Sequence, residues 1–124
     1  NEKYIYGLAR CHALNGEIEK AREFLHKAIM MEPNSSEELL KIGDIMYEKK
    51  EYERAYAIYS KALYGKKDWD HVHYKIGVAS VTLKKFDEAR LHFQMSTEVK
   101  PDGEYAQKSR DELAKLPEEN DSKK

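Results

Sequence analysis

Ala55-Tyr56-Ala57-Ile58-Tyr59-Ser60-Lys61-Ala62 does not stand alone in this chain. Its pattern returns as Ala21-Arg22-Glu23-Phe24-Leu25-His26-Lys27-Ala28 and as Ala89-Arg90-Leu91-His92-Phe93-Gln94-Met95-Ser96. Each copy opens on alanine, places a large apolar residue four positions later (Leu25, Tyr59, Phe93) and closes on a small one (Ala28, Ala62, Ser96). The copies start at 21, 55 and 89, a step of 34 with no insertion. Upstream, Ala9, Gly43 and Gly77 keep the step, each preceded by a branched aliphatic at Leu8, Ile42 or Ile76. Pro33 and Pro101 stand two steps apart, with Lys67 in the middle place. A fixed period of this length is the signature of a repeat architecture.

Within each period the apolar spacing is helical. Residues 3–14, 37–48 and 71–82 place apolar side chains at i, i+3, i+4 and i+7, as Leu39, Ile42, Gly43 and Met46 do. Turn residues fall between helices: Asn15-Gly16, Lys49-Lys50-Glu51 and Lys84-Lys85 within the repeats, and Glu32-Pro33-Asn34-Ser35 between the first two. Pro33 and Pro101 end helices, because proline lacks the amide donor and restricts its predecessor. Ser35 or Ser36, followed by Glu37 and Glu38, suits a helix start. After Pro101-Asp102-Gly103 a last helix over 104–116 carries Tyr105, Ser109, Leu113 and Leu116 on one side and mostly charged residues elsewhere. Such a helix covers the last repeat and turns a polar side to water. Residues 117–124 hold no large apolar group and read as a disordered tail.

This pattern resembles the tetratricopeptide repeat, a helix–turn–helix unit of 34 residues. The resemblance runs over about residues 2–103. It implies an all-α fold, a right-handed α-α superhelix of about seven antiparallel helices, with repeats at about 2–35, 36–69 and 70–103 and a capping helix at 104–116. The sequence departs from the family where a Trp is frequent, with Ile5, Leu39 and His73 in its place, and where a Tyr is frequent, with His12, Met46 and Ser80.

The composition narrows the function classes. The chain has 124 residues, one ordinary domain, and 22 Lys and Arg against 23 Asp and Glu, a net charge of −1 that argues against nucleic acid as partner. Its single Cys11 forms no internal disulfide. No apolar run approaches the ~18 residues of a membrane span, so a soluble chain in the cytoplasm is the expectation. There is no phosphate-binding glycine loop, nucleophile elbow or zinc-binding helix, so no catalytic residue, cofactor or metal is expected. Cys11 and His12 are adjacent on a helix and point about 100° apart, which suits packing rather than proton sharing. In Asp68-Trp69-Asp70-His71-Val72-His73 the two histidines diverge by about 200° on a helix starting near Asp70. The aspartates read as helix caps and Trp69 as a packing anchor. His26 and His92 read as surface or edge groups.

In the family the first helix of each repeat lines a concave groove. Superposing the first helices here gives one face with Lys3, Tyr6, Gly7, Arg10, Ala13 and Leu14, then Glu37, Leu40, Lys41, Asp44, Tyr47 and Glu48, then His71, Tyr74, Lys75, Val78, Val81 and Thr82. The expected groove residues are Tyr6, Arg10, Lys41, Asp44, Tyr47, His71, Tyr74, Lys75 and Val78. Aromatic rings supply contact area at low entropy cost and cations orient a carboxylate, so the expected partner is a protein or peptide segment, acidic or C-terminal. Family members that bind chaperone C-termini clamp two carboxylates with Lys and Asn, then Asn, then Lys and Arg. Tyr6, Arg10, Lys41, His71 and Lys75 occupy those places here, so the positive character persists without the clamp's amides. The resemblance thus implies an interaction module or scaffold. The rival expectation is a self-assembly unit, or a piece of a longer array, associating through an N-terminal repeat that no polar helix precedes.

Overall fold

The computed structural model describes residues 1–117, and the expected tail lies, Pro117 apart, outside the described residues. Among them are seven α-helices and no strand: α1 Glu2–Leu14, α2 Ile18–Met31, α3 Ser36–Glu48, α4 Tyr52–Ala62, α5 Asp70–Thr82, α6 Phe86–Val99 and α7 Glu104–Lys115. They fall into two units. Asn1–Lys67 holds α1 to α4; α5 to α7 form the second, which begins at Asp68. In the first unit α1 packs on α2, α3 on α4, and α1 on α3; in the second α5 packs on α6 and α7 rests on both. No described helix is long and apolar enough to cross a membrane.

All three repeats turn in the same way. The residue two after the first helix has positive φ: Gly16 at 80°, Lys50 at 65° and Lys84 at 62°, again in steps of 34. Each turn closes with the same two backbone bonds, Gly16 N to Ala13 O and Glu17 N to His12 O in the first, Lys50 N to Tyr47 O and Glu51 N to Met46 O in the second, Lys84 N to Val81 O and Lys85 N to Ser80 O in the third. This is a Schellman cap, which satisfies two orphan carbonyls of the finished helix and reverses the chain. Glycine fits the left-handed conformation freely, whereas the lysines are strained in it.

The hairpins are held by small residues facing large ones. Ala21, Ala55 and Ala89, at the start of the second helices, are fully buried. A Cβ added to Gly43 would lie 2.6 Å from the Tyr59 ring, and one added to Gly77 would lie 2.5 Å from the Phe93 ring. In the first repeat the same two places hold Ala9 and Leu25, both buried. The aliphatic Leu25 thus goes with alanine and the aromatic rings go with glycine, which keeps the summed volume nearly level.

Helix starts rely less on side-chain caps than the sequence suggests. Among the described residues only Asn1, whose Oδ1 accepts from Tyr4 N at 3.0 Å, caps its helix with its side chain. Ser35 precedes α3 without a side-chain cap bond. Asp68 and Asp70 do not cap α5 either: Trp69 stands at the cap and Asp70 begins the helix, its carbonyl accepting from Ser96 Oγ at 3.1 Å. Cys11, read as a buried packing residue, is exposed. His12 packs instead, stacked at 5.1 Å on Phe24. On α7, Ala106 and Ser109 are buried and Tyr105, Leu113 and Leu116 half-buried, with Gln107, Lys108, Arg110 and Asp111 exposed.

Gly77→Ala, which on helix propensity alone would stabilise α5 by ~1 kcal/mol, should here destabilise by about 1–3 kcal/mol through the clash with Phe93. Phe93→Leu in the same chain should recover part of that loss, as a double-mutant cycle of thermal unfolding would show. At the turns, Lys50→Gly and Lys84→Gly should each stabilise by about 0.5–1 kcal/mol, while Gly16→Ala should destabilise.

Candidate functional site

In the first unit, the expected groove residues separate into packed and surface groups. Tyr6 is fully buried and its hydroxyl donates to the Glu32 carbonyl at 2.6 Å. Burial, the largest effect, raises its pKa. Tyr6 therefore holds α1 to the end of α2 and presents no surface. Arg10 Nη1 lies 2.7 Å from Glu38 Oε2, and Lys41 Nζ lies 3.8 Å from Glu38 Oε1. Two cations from successive first helices thus converge on one carboxylate. Asp44, one turn beyond Lys41, accepts from the Tyr59 hydroxyl at 2.5 Å, a bond that Tyr59's seat over Gly43 makes geometrically available. Burial and the adjacent Asp44 carboxylate hold the Tyr59 phenol far above its ordinary pKa. Tyr47 is half-buried, its ring edge-on to Tyr52 at 5.0 Å.

In the second unit the expected residues form an aromatic cluster with α7. His71 stacks on Tyr105 at 4.2 Å and 10°, Trp69 meets His71 edge-on at 6.3 Å, and Tyr74 lies 5.5 Å from Tyr105 and 5.9 Å from Phe93. Lys108 Nζ stands 5.3 Å over the Tyr105 ring, within cation–π range. Lys75 and Val78 are partly exposed on the same helix. His71 and His73 point apart, as expected from their spacing, and no group of three or more metal-ligating side chains occurs among the described residues.

His73 takes the position where the family frequently has Trp, and is buried. Its Nδ1 lies 3.0 Å from His92 Nδ1, and the rings stack at 5.2 Å. His92, read from the sequence as a surface or edge group, is half-buried. Burial first, then the neighbouring His73, lowers its pKa to about 4, with Glu88 opposing.

Sequence reasoning missed Glu38 as the acid between Arg10 and Lys41, although its position three residues before Lys41 signals an ion pair on one helix face. It missed Tyr105 and Lys108 as neighbours of His71, since nothing local links α7 to α5.

A sequence profile of the tetratricopeptide repeat matches residues 2–35. Solved structures of similar shape cover most of the chain. The N-terminal domain of stress-induced protein-1 from C. elegans is 18% identical over 91% of this chain and 94% of its own, with a TM-score of 0.73. The chain has the tetratricopeptide-repeat fold. PcrH in complex with the chaperone-binding region of PopD is 15% identical, covering 91% of this chain and 88% of PcrH, with a TM-score of 0.69. The first repeat domain of Spaghetti bound to the HSP90 peptide SRMEEVD is 16% identical over 92% and 88%, with a TM-score of 0.68. A search of curated proteins finds no match.

The sign of the histidine effect is fixed by the lowered pKa. Below the ordinary value of 6.5 the unfolded chain takes up a proton that folded His92 refuses down to about 4. Folded stability is therefore unaffected by this group above pH 6.5 and falls as pH drops toward 4. The loss should reach about 1 kcal/mol by pH 5, discounted for water's access to a half-buried ring. His92→Gln should flatten the melting temperature between pH 7 and pH 5 relative to the parent.

Proposed function

We propose that this chain is a non-catalytic protein-interaction module that holds a peptide segment of a partner protein against its first-helix faces. Arg10 and Lys41 take an acidic side chain or terminal carboxylate, and Tyr47 supplies apolar contact. In the second unit, His71, Tyr74, Lys75 and Val78 offer chemistry of the same kind on α5. The convergence of Arg10 and Lys41 on the Glu38 carboxylate carries this reading, because it marks a place where an acid is held by cations from two helices. Arg10 and Glu38 keep 35% and 26% of their side-chain surface exposed. A pair so wetted contributes little, at most ~1 kcal/mol, so a ligand carboxylate can displace Glu38 at small cost. The peptides bound by Spaghetti and PcrH in their complexes support the same class of activity.

The test uses fluorescence anisotropy with a labelled SRMEEVD peptide as an acidic C-terminal probe. Glu38→Gln frees both cations and should tighten binding at least ~3-fold. Lys41→Glu with Lys75→Glu should abolish it while the helical circular-dichroism signal stays intact, and binding by the parent should weaken as salt is raised. Equal affinity in the parent, the Glu38 variant and the double variant would place the ligand elsewhere.

A further inference from the structure

On the side of the first unit formed by the second helices, α2 and α4 stand apart. Between them runs a cleft of about 580 Å³, a size typical of ligand sites. Its walls are two helical rows: Arg22, Leu25, His26 and Ile29 on α2, and Glu53, Arg54, Ala57, Ile58 and Lys61 on α4. Each row covers about two helical turns, ~10 Å. Leu25 and Ile58 are almost wholly buried beneath it, and Ile29 is half-buried. Position 57 of the lining is small, where the places one repeat before and after hold the larger Glu23 and Leu91. Arg54 spans one end, its Nη2 3.1 Å from Glu19 on α2 and its Nη1 bonded to Glu51.

Charge is unequal around this floor. Arg22, His26, Arg54 and Lys61 face Glu53 as the single acid of the lining, in a chain whose net charge is −1. Arg22 pairs with Glu19 at the exposed edge. Lys61 makes no ion pair or side-chain hydrogen bond among the described residues.

We propose that the α2–α4 cleft is a second docking surface, taking an acidic peptide segment of a partner protein that seats an aliphatic side chain over Ala57 and Ile58 and directs carboxylates to Lys61 and Arg54. The site is independent of Arg10 and Lys41. An aliphatic floor with basic walls complements that chemistry, since the anchor supplies burial and the charges set orientation and partner choice.

The experiment measures anisotropy of a labelled amphipathic peptide of Glu and Leu, beside the same peptide with Gln for Glu. The parent chain should bind the Glu peptide at least tenfold more tightly. Ala57→Trp, which fills the cleft from an exposed position, and Lys61→Glu should each weaken binding at least tenfold. Lys20→Glu, an equal charge change away from the lining, should leave it within twofold. If Ala57→Trp loses helical content, Lys61→Glu decides the matter. Equal binding of both peptides, or equal loss from Lys20→Glu and Lys61→Glu, overturns the proposal. So does a concentration-dependent dimer that Ala57→Trp makes monomeric, since the occupant is then a second copy. Loss with Lys41→Glu alone assigns this peptide to the first-helix face and leaves the cleft without a ligand.

Discussion

The contact of an aromatic ring with a glycine on the facing helix governs much of what the other side chains can do. Tyr59 lies over Gly43 and Phe93 over Gly77, so close that a methyl group at either glycine would overlap the ring. That proximity is a packing constraint with chemical consequences. Because Tyr59 lies flat across α3, its hydroxyl reaches Asp44, and a carboxylate on the first-helix face becomes tied to its own repeat's second helix. Phe93 in turn supplies a wall for Tyr74, which joins His71 and Tyr105 in the aromatic cluster.

Electrostatics then distinguish the two sides of the first unit. On the α1–α3 side, the cations Arg10 and Lys41 already share an internal carboxylate, Glu38, and a ligand must compete with it. Along the α2–α4 cleft Arg22 and Arg54 are likewise paired, with Glu19 and Glu51 outside the lining, while the basic side chains of the lining outnumber its one acid, Glu53. A net charge near zero conceals this local asymmetry. Steering and specificity depend on where charges lie, not on their sum.

In the second unit, a pair of imidazoles replaces a large apolar side chain. His73 is buried against His92 on the neighbouring helix, and a hydrogen bond joins their Nδ1 atoms, one donating and the other accepting while the rings are neutral. Burial first, and then the neighbouring His73, make His92 resist protonation. The packing of this unit therefore carries a pH sensitivity.

Periodicity determined the repeat, the helices and the turns, because those depend on neighbours within a few residues and on a step of 34 that three copies share. The turn at Lys50 and Lys84 was legible in position though not in its left-handed backbone, since only Gly16 advertises that conformation by its residue type. Buried Ala21, Ala55 and Ala89 were legible for the same periodic reason. Burial of Tyr6, the partnering of Asp44 with Tyr59, the His73–His92 pair and the exposure of Cys11 were decided by tertiary structure. Each depends on how far one helix stands from another and how its face is rotated. Helical spacing in a sequence defines a face without saying which neighbour covers it, and a side chain's role follows from that neighbour: the same stripe holds Tyr6 locked in the core and Lys41 open to solvent.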